Sequence, residues 1–202
     1  MNTSSFWFES QPVPGPDSGD PIGQSLRFRD IQQLTGPAGQ KCISSANPGT
    51  ISMWMKFTSG ANFWFFGNST SGGGGAAGYQ FNRYDAGNVI AYQSNFYYDL
   101  LGGQEFCTDS SAWYHYVIQA QSDKTLIYVN GKLVDDNFVA LADSSIPTQF
   151  GLAQTWGTNW TSEGYIADVY GVYGQALPPT TFGRYNADGV WVPKDPELTN
   201  SA

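Results

Sequence analysis

The feature that most constrains the fold is a series of short runs rich in β-branched and aromatic residues, each bounded by Gly, Pro, Asn or Ser. Such runs are typical of β-strands separated by turns, and a spacing of about ten residues between them is expected of a β-sandwich. The runs are residues 25–28, 50–57, 62–66, 79–83, 89–93, 112–121, 125–129, 132–134, 149–153 and 164–173. No segment has the period of an amphipathic helix. We therefore predict an all-β fold, a jelly-roll β-sandwich of two antiparallel sheets with Greek-key connections.

Two of these runs carry the clearest local signals. In the run 50–57, apolar residues fall at every second position from Ile51 to Phe57, so one face of this strand should point into the core. The dipeptide Asn130-Gly131 separates the runs 125–129 and 132–134. Because a type I′ turn needs positive φ at both central residues, this dipeptide predicts a tight hairpin.

Composition narrows the functional classes. The chain has 202 residues, which suits one domain, with 13% charged and 16% aromatic residues and a net charge of −8. Nucleic acid and anionic membranes attract clustered cations, so neither is an expected partner. Many aromatic residues and few charges also suggest that part of the surface is covered by a partner, including other copies of the chain.

The sandwich, at residues 24–175, is predicted to have additions at both ends. Residues 1–23 form an extended arm because of the prolines between positions 12 and 21, and residues 176–202 form a C-terminal extension. We predict that both additions contact a partner and that the anchors are aromatic, since buried aromatic residues dominate interface energies. The candidate anchors are Phe6, Trp7, Phe8 and Trp191. The first three could equally fold back on their own domain.

Several runs resemble the concanavalin A-like lectin/glucanase superfamily in its laminin-G-like branch. There a Trp-Tyr-His strand leads to a Tyr-Val-Asn-Gly hairpin, and a late strand carries Ile-Ala-Asp-Val. The matching residues are Trp113, Tyr114, His115, Tyr128, Val129, Asn130, Gly131, Ile166, Ala167, Asp168 and Val169. The resemblance covers residues 25–175 and implies a lectin-like sandwich.

A second run, residues 173–194, is similar to a segment of tail-fibre and other virion proteins of tailed phages, especially marine and cyanobacterial ones. The matching parts are Gln175-Ala176-Leu177, Phe182-Gly183 and the run 189–194, while Gly174 and Tyr185 depart from the usual Asp and Phe. This resemblance implies a virion structural protein made in the host cytoplasm, in keeping with an N-terminus that lacks signal-peptide features. A small acidic domain without a shaft favours a capsid decoration protein that binds the major capsid protein. The alternative is a tail fibre or tail-associated protein that recognises host glycans.

Catalytic and metal chemistry find little support in the sequence. Glucanases that resemble this fold carry paired acidic residues on one strand, whereas the run 164–173 holds only Asp168. His115 is the only histidine and has no reactive-serine motif near it, so we predict a hydrogen-bonded structural role. Asp168 is likewise expected to be structural rather than a Ca²⁺ ligand. We predict no enzyme activity, no cofactor and no metal.

Two aromatic runs that read as loops have the chemistry of a sugar site. The candidates are Tyr97 and Tyr98 in the loop 95–98 and Trp156 and Trp160 in the loop 156–160. The same rings could instead cover the core or face a neighbouring subunit. Cys42 and Cys107 lack the spacing of a zinc site, and we expect free thiols, with a single bridge as the alternative.

Overall fold

The fold was analysed in a computed structural model. It describes residues 6–8, 22, 25–28, 34–36, 43–58, 63–67, 79–84, 88–93, 96–99, 108–143, 149–150 and 164–198. Within these ranges no helix is long and apolar enough to cross a membrane.

Strands are numbered in chain order, and seven of them form the first sheet. These are β1 (Phe6–Phe8), β2 (Leu26–Phe28), β4 (Gly49–Phe57), β9 (Tyr114–Ala120), β10 (Lys124–Val129), β11 (Lys132–Val139) and β13 (Gly164–Tyr173). The order across the sheet is β1-β13-β4-β9-β10-β11. Strand β2 also pairs with β13, on the same side as β1 but at residues 164–166 instead of 169–171. Every pairing is antiparallel.

The second sheet has six strands. These are β3 (Leu34–Thr35), β5 (Phe63–Gly67), β6 (Tyr79–Tyr84), β7 (Asn88–Gln93), β8 (Phe96–Asp99) and β12 (Gln149–Phe150). They run in the order β3-β12-β5-β6-β7-β8, again antiparallel throughout. A short hairpin of β14 (Gly183–Tyr185) and β15 (Trp191–Pro193) follows a 3₁₀ turn at Pro179–Thr181. The predicted all-β jelly-roll sandwich is confirmed.

The core lies on the face of the first sheet that is turned toward the second. Ile51, Met53, Met55 and Phe57, the alternating apolar residues of β4, are all essentially inaccessible to solvent. They pack in one cluster with inward residues of the neighbouring strands and with Phe81 of the second sheet. The prediction that this face of β4 points into the core is therefore confirmed.

The predicted hairpin turn is also present. Asn130 has φ 48° and Gly131 has φ 76°, so both central residues are in the left-handed region. Asn130 further ties the turn to β9, since its side-chain Oδ1 accepts a hydrogen bond from the amide of His115 at 2.8 Å. The β10–β11 hairpin is thereby fixed at the end of the sheet where β9 begins.

A bulge in β13 decides which of its residues face the core. The pairing of β13 with β4 shifts between Ala167 and Tyr170, and Asp168 there has φ 45°. An extra residue in a strand reverses the phase of the side chains beyond it. Ile166 before the bulge and Val169 and Tyr173 after it therefore all reach the same core.

Candidate functional site

The outer face of the first sheet, turned away from the second sheet, carries polar and aromatic side chains. On β4 and β9 these are the residues that alternate with the core positions. The register places Trp54 beside His115, Ser52 beside Val117 and Thr50 beside Gln119. Ser52, Thr50 and His115 have no exposed surface at all. Something in the chain must therefore cover this face.

The cover is the C-terminal segment, defined here as residues 174–198. Thr50 Oγ1 donates a hydrogen bond to the carbonyl of Gln175 at 2.9 Å and accepts one from the amide of Leu177 at 2.8 Å. The side chain of Gln119 donates to the carbonyl of Leu177. Phe182, which is 1% exposed, packs with Val117 and other apolar residues. The polar outer positions thus hold the backbone of this segment, and apolar contacts hold its rings.

Trp191 closes the cover over His115. Its Nε1 donates a hydrogen bond to Nδ1 of His115 at 3.0 Å, and only 8% of its surface is exposed. A Cβ added to Gly131 would lie 2.6 Å from the indole, and one added to Gly183 would lie equally close. The indole therefore fits only because both neighbouring positions lack a side chain.

The pair Ser52 and His115 resembles a nucleophile and its base, with Ser52 Oγ 2.8 Å from Nε2 of His115. A neutral imidazole has one N–H and one acceptor nitrogen. Because Nδ1 accepts a hydrogen bond from the indole N–H of Trp191, the imidazole hydrogen lies on Nε2, which donates a hydrogen bond to Ser52. In this tautomer His115 cannot remove a proton from the hydroxyl, so the pair is not arranged for nucleophilic catalysis.

Burial also keeps His115 neutral. Its ring lies nearly parallel to that of Trp54, with 4.9 Å between centroids, and to that of Trp191 at 5.9 Å. Loss of hydration in this apolar setting lowers the pKa of His115 to about 3. The prediction of a hydrogen-bonded structural histidine is confirmed by these contacts.

The structure corrects the expectation that Trp191 contacts a partner. The indole is buried within its own chain, because the C-terminal segment packs on the sandwich instead of extending away from it. Phe6–Phe8 form strand β1 and pair with residues 169–171, so the backbone at this point of the arm folds back on its own sheet. The side chains of β1 lie outside what the structure describes, and their role as anchors stays a prediction.

The predicted sugar-site residues are distributed differently from the sequence expectation. Tyr97 and Tyr98 belong to strand β8 and pair with β7, so reading residues 95–98 as a loop was wrong for this pair. Trp156 and Trp160 lie outside the described residues, as do Cys42 and Cys107. Among the described residues, no group of three or more metal-ligating side chains was found.

Sequence reasoning missed a row of side chains on the uncovered part of the outer face. Arg27 of β2 pairs with Tyr165 of β13, which pairs with Lys56 of β4, and Trp113 stands next in line before β9. The guanidinium carbon of Arg27 lies 5.5 Å from the centroid of the Tyr165 ring. The rings of Tyr165 and Trp113 meet edge to face at 6.5 Å. The four residues come from distant parts of the chain, and only the position of Lys56 in the alternation of β4 hinted at an outward side chain.

Two of the solved structures that share this fold illustrate the likeness. The CBM40 domain of the Ruminococcus gnavus IT-sialidase, bound to α2,3-sialyllactose, superimposes with a TM-score of 0.50 at 15% identity, covering 76% of this chain and 95% of that domain. A Trypanosoma rangeli sialidase superimposes with a TM-score of 0.50 at 13% identity. That match covers 77% of this chain but only 27% of the sialidase.

No curated protein matches this sequence. The model of the family described as the concanavalin A-like lectin/glucanases superfamily, in its laminin-G-like form, matches residues 32–181. The matched region includes the core strands of both sheets, the bulge of β13 and the start of the C-terminal segment. The chain therefore belongs to the laminin-G-like family of the concanavalin A-like lectin/glucanase superfamily.

Proposed function

We propose that this chain is a non-enzymatic structural protein of a tailed-phage virion that binds the outside of the capsid shell as a decoration protein. The observation that carries the proposal is the run 173–194, which resembles virion proteins of tailed phages. Matching residues of this run have specific places in the fold, with Leu177 on Thr50 and Gln119, and Trp191 on His115. The run that resembles virion proteins therefore packs on the sandwich as part of the same folded unit.

The proposal that the chain is not an enzyme is supported by the state of two described groups, His115 and Asp168. His115 is neutral, buried and donates to Ser52, so it does not serve as a base for that hydroxyl. Asp168 is the only carboxylate in β13 and sits at the bulge. Retaining and inverting glycosidases both use a pair of carboxyl groups, and β13 supplies one.

The surface around the β10–β11 turn is the best candidate for the contact with the capsid. Leu133, Tyr185 and Val190 expose 50%, 51% and 55% of their surfaces. Leu133 is the second residue of β11 after the turn, and the hydroxyl of Tyr185 lies 3.4 Å from the carbonyl of Asn130. Val190 directly precedes Trp191, whose indole packs on Gly131 of the turn. We name these three residues the turn patch. Weak contacts through such a patch would add up when a shell presents many equivalent sites.

The copy number of the protein in purified virions is the direct test. Quantitative mass spectrometry against the major capsid protein should find hundreds of copies per particle, as symmetry of a shell requires. About a dozen copies would place the protein on the tail and contradict the decoration role.

Variants of the turn patch test the contact surface. Leu133→Asp and Val190→Asp should lower occupancy of the shell, because a charge cannot be buried there without a partner. Val139→Asp is the matched control, since Val139 is 39% exposed at the opposite end of β11. Equal occupancy for all three variants would show that the shell contact lies elsewhere.

The second candidate is a tail fibre or tail-associated protein that recognises host glycans. It is favoured by the fold, because the R. gnavus domain with this fold was solved with α2,3-sialyllactose. It is also favoured by the accessible rings of Trp113 and Tyr165. A glycan array probed with the purified chain tests it, and an array on which no glycan binds would rule it out.

A further inference from the structure

The row of Arg27, Tyr165, Lys56 and Trp113 is the part of the outer face that the C-terminal segment leaves accessible. Arg27 is exposed, and Tyr165, Lys56 and Trp113 are each only partly buried. The neighbouring row, with Trp54 and His115, is covered.

The charges of the row are unusual for this chain. The chain has 9 cationic and 17 acidic residues, yet cations occupy two positions of the four in the row. In the part of the chain that the structure describes, Arg27 makes no ion pair, and its guanidinium lies over the ring of Tyr165. A cation over an aromatic face is attracted to the ring but keeps its hydrogen-bond donors available. Arg27 is therefore positioned to bind an anion.

Among the described residues, Lys56, unlike Arg27, has an acidic residue in its vicinity. Asp109 lies near Lys56, whose positive charge contributes, after the hydrogen bonds from Ser111, to lowering the pKa of Asp109. The Asp109 carboxylate accepts hydrogen bonds from the amide and the hydroxyl of Ser111 at 2.8 and 2.6 Å. An anionic ligand would thus be drawn toward Arg27, and its neutral part would lie toward Trp113.

From this arrangement we infer that the row binds an oligosaccharide carrying a carboxylate, with the carboxylate on Arg27, which Tyr165 supports from below, and a sugar ring against Trp113. The inference deepens the glycan-recognition candidate and rests on it. Arginine binds carboxylates through two parallel hydrogen bonds, which gives orientation as well as affinity. Adjacent strands are about 4.8 Å apart, so the row spans roughly 14 Å and offers room for more than one sugar ring.

Nucleic acid is the competing ligand, since stacked rings beside cations also bind single strands. The net charge of −8 opposes a polyanion with a charge on every unit. A saccharide with one carboxylate places its only charge on Arg27, where the local charge is positive. The net negative charge of the chain therefore opposes its binding less. The observations therefore favour the saccharide.

The test uses the full chain and three probes: an aldotetraouronic acid (a single glucuronate on a neutral xylotriose), its neutral methyl ester and an eight-residue oligothymidylate. Calorimetry should detect the aldotetraouronic acid and find the neutral ester at least about tenfold weaker, a difference of about 1.4 kcal/mol. Arg27→Gln and Trp113→Phe should each weaken binding of the aldotetraouronic acid several-fold, with Arg27→Gln removing the preference over the ester. Lys132→Gln is the matched control, since Lys132 is exposed on β11 away from the row, and it should bind like the original chain.

Each other outcome overturns the inference in a distinct way. If the aldotetraouronic acid binds but neither row variant weakens it, glycan recognition stands and the site is wrong. If the aldotetraouronic acid does not bind while other glycans on the array do, the ligand class is wrong. If no glycan binds at all, the glycan-recognition candidate fails as well. Tighter binding of the oligothymidylate would replace the saccharide with nucleic acid. Arg27→Gln changes an exposed side chain, so loss of fold does not obscure these results.

Discussion

Lowering the pH is expected to destabilise this protein through one buried side chain, His115. Its pKa is about 3 in the folded chain against the ordinary 6.5, because the ring is fully buried and its charged form would lose hydration. The unfolded chain therefore binds a proton that the folded chain refuses between these two pH values. By linkage, the contribution of His115 is complete above pH 6.5, falls as the pH drops below 6.5, and stops falling near pH 3.

The size of the effect follows from the same two pKa values. One unit of difference corresponds to about 1.4 kcal/mol, so the whole window corresponds to about 5 kcal/mol and the part down to pH 4 to roughly 3 kcal/mol. Domains of this kind have total stabilities of about 5–15 kcal/mol. The loss at pH 4 is thus large enough to be measured by urea unfolding, followed through tryptophan fluorescence.

A variant that does not titrate separates His115 from the carboxylates. His115→Gln keeps an amide donor and acceptor at this position but has no proton to gain near neutral pH. The free energy of unfolding should therefore fall less between pH 7 and pH 4 in His115→Gln than in the original chain, by roughly 3 kcal/mol. The absolute stability of the variant does not matter, because the slope with pH is the readout. Equal slopes would refute the argument that the folded chain keeps His115 neutral.

Three further predictions concern the C-terminal segment and the outer face. Gly183→Ala should cost about 1–3 kcal/mol by pushing the Trp191 indole out of place, and the fluorescence of the indole should change with it. Thr50→Val should cost about 1–3 kcal/mol in urea unfolding, because the Thr50 hydroxyl is buried and the carbonyl of Gln175 and the amide of Leu177 both lose their partner. Tyr128 should ionise above the ordinary value of 10.0 in an absorbance titration, because burial raises its pKa.

Matched controls make these three results interpretable. Arg184→Ala changes an exposed neighbour of Gly183, and Thr180→Val changes an exposed threonine of the same segment, so both should be nearly neutral. A Gly183→Ala variant as stable as Arg184→Ala would mean that the indole can move without cost. For Tyr128, a titration identical to that of the urea-unfolded chain would contradict the effect of burial.

Part of the candidate site could be anticipated from local sequence. His115 is the only histidine of the chain, and no reactive-serine motif stands near it, which predicted a structural role. The hydrogen bonds with Ser52 and Trp191 confirm this prediction. The row that includes Arg27 and Trp113 could not be anticipated. Its members are brought together by strand order and register, and these depend on pairings between distant runs.

The sequence by itself determined the local structure. The alternation in β4 marked its buried face, and Asn130-Gly131 fixed the hairpin, because side-chain direction and positive φ are properties of a few adjacent residues. Only the tertiary structure decided which side chains of β13 face the core on each side of Asp168. The run is apolar at most positions and shows no alternation, so the bulge determines which residues point inward. The tertiary structure also decided the place of Trp191. The residues next to Trp191 in the sequence would be the same whether the indole contacted a partner or packed on its own sheet. The indole packs on its own sheet because His115 accepts its hydrogen bond there and because Gly131 and Gly183 leave space for the ring.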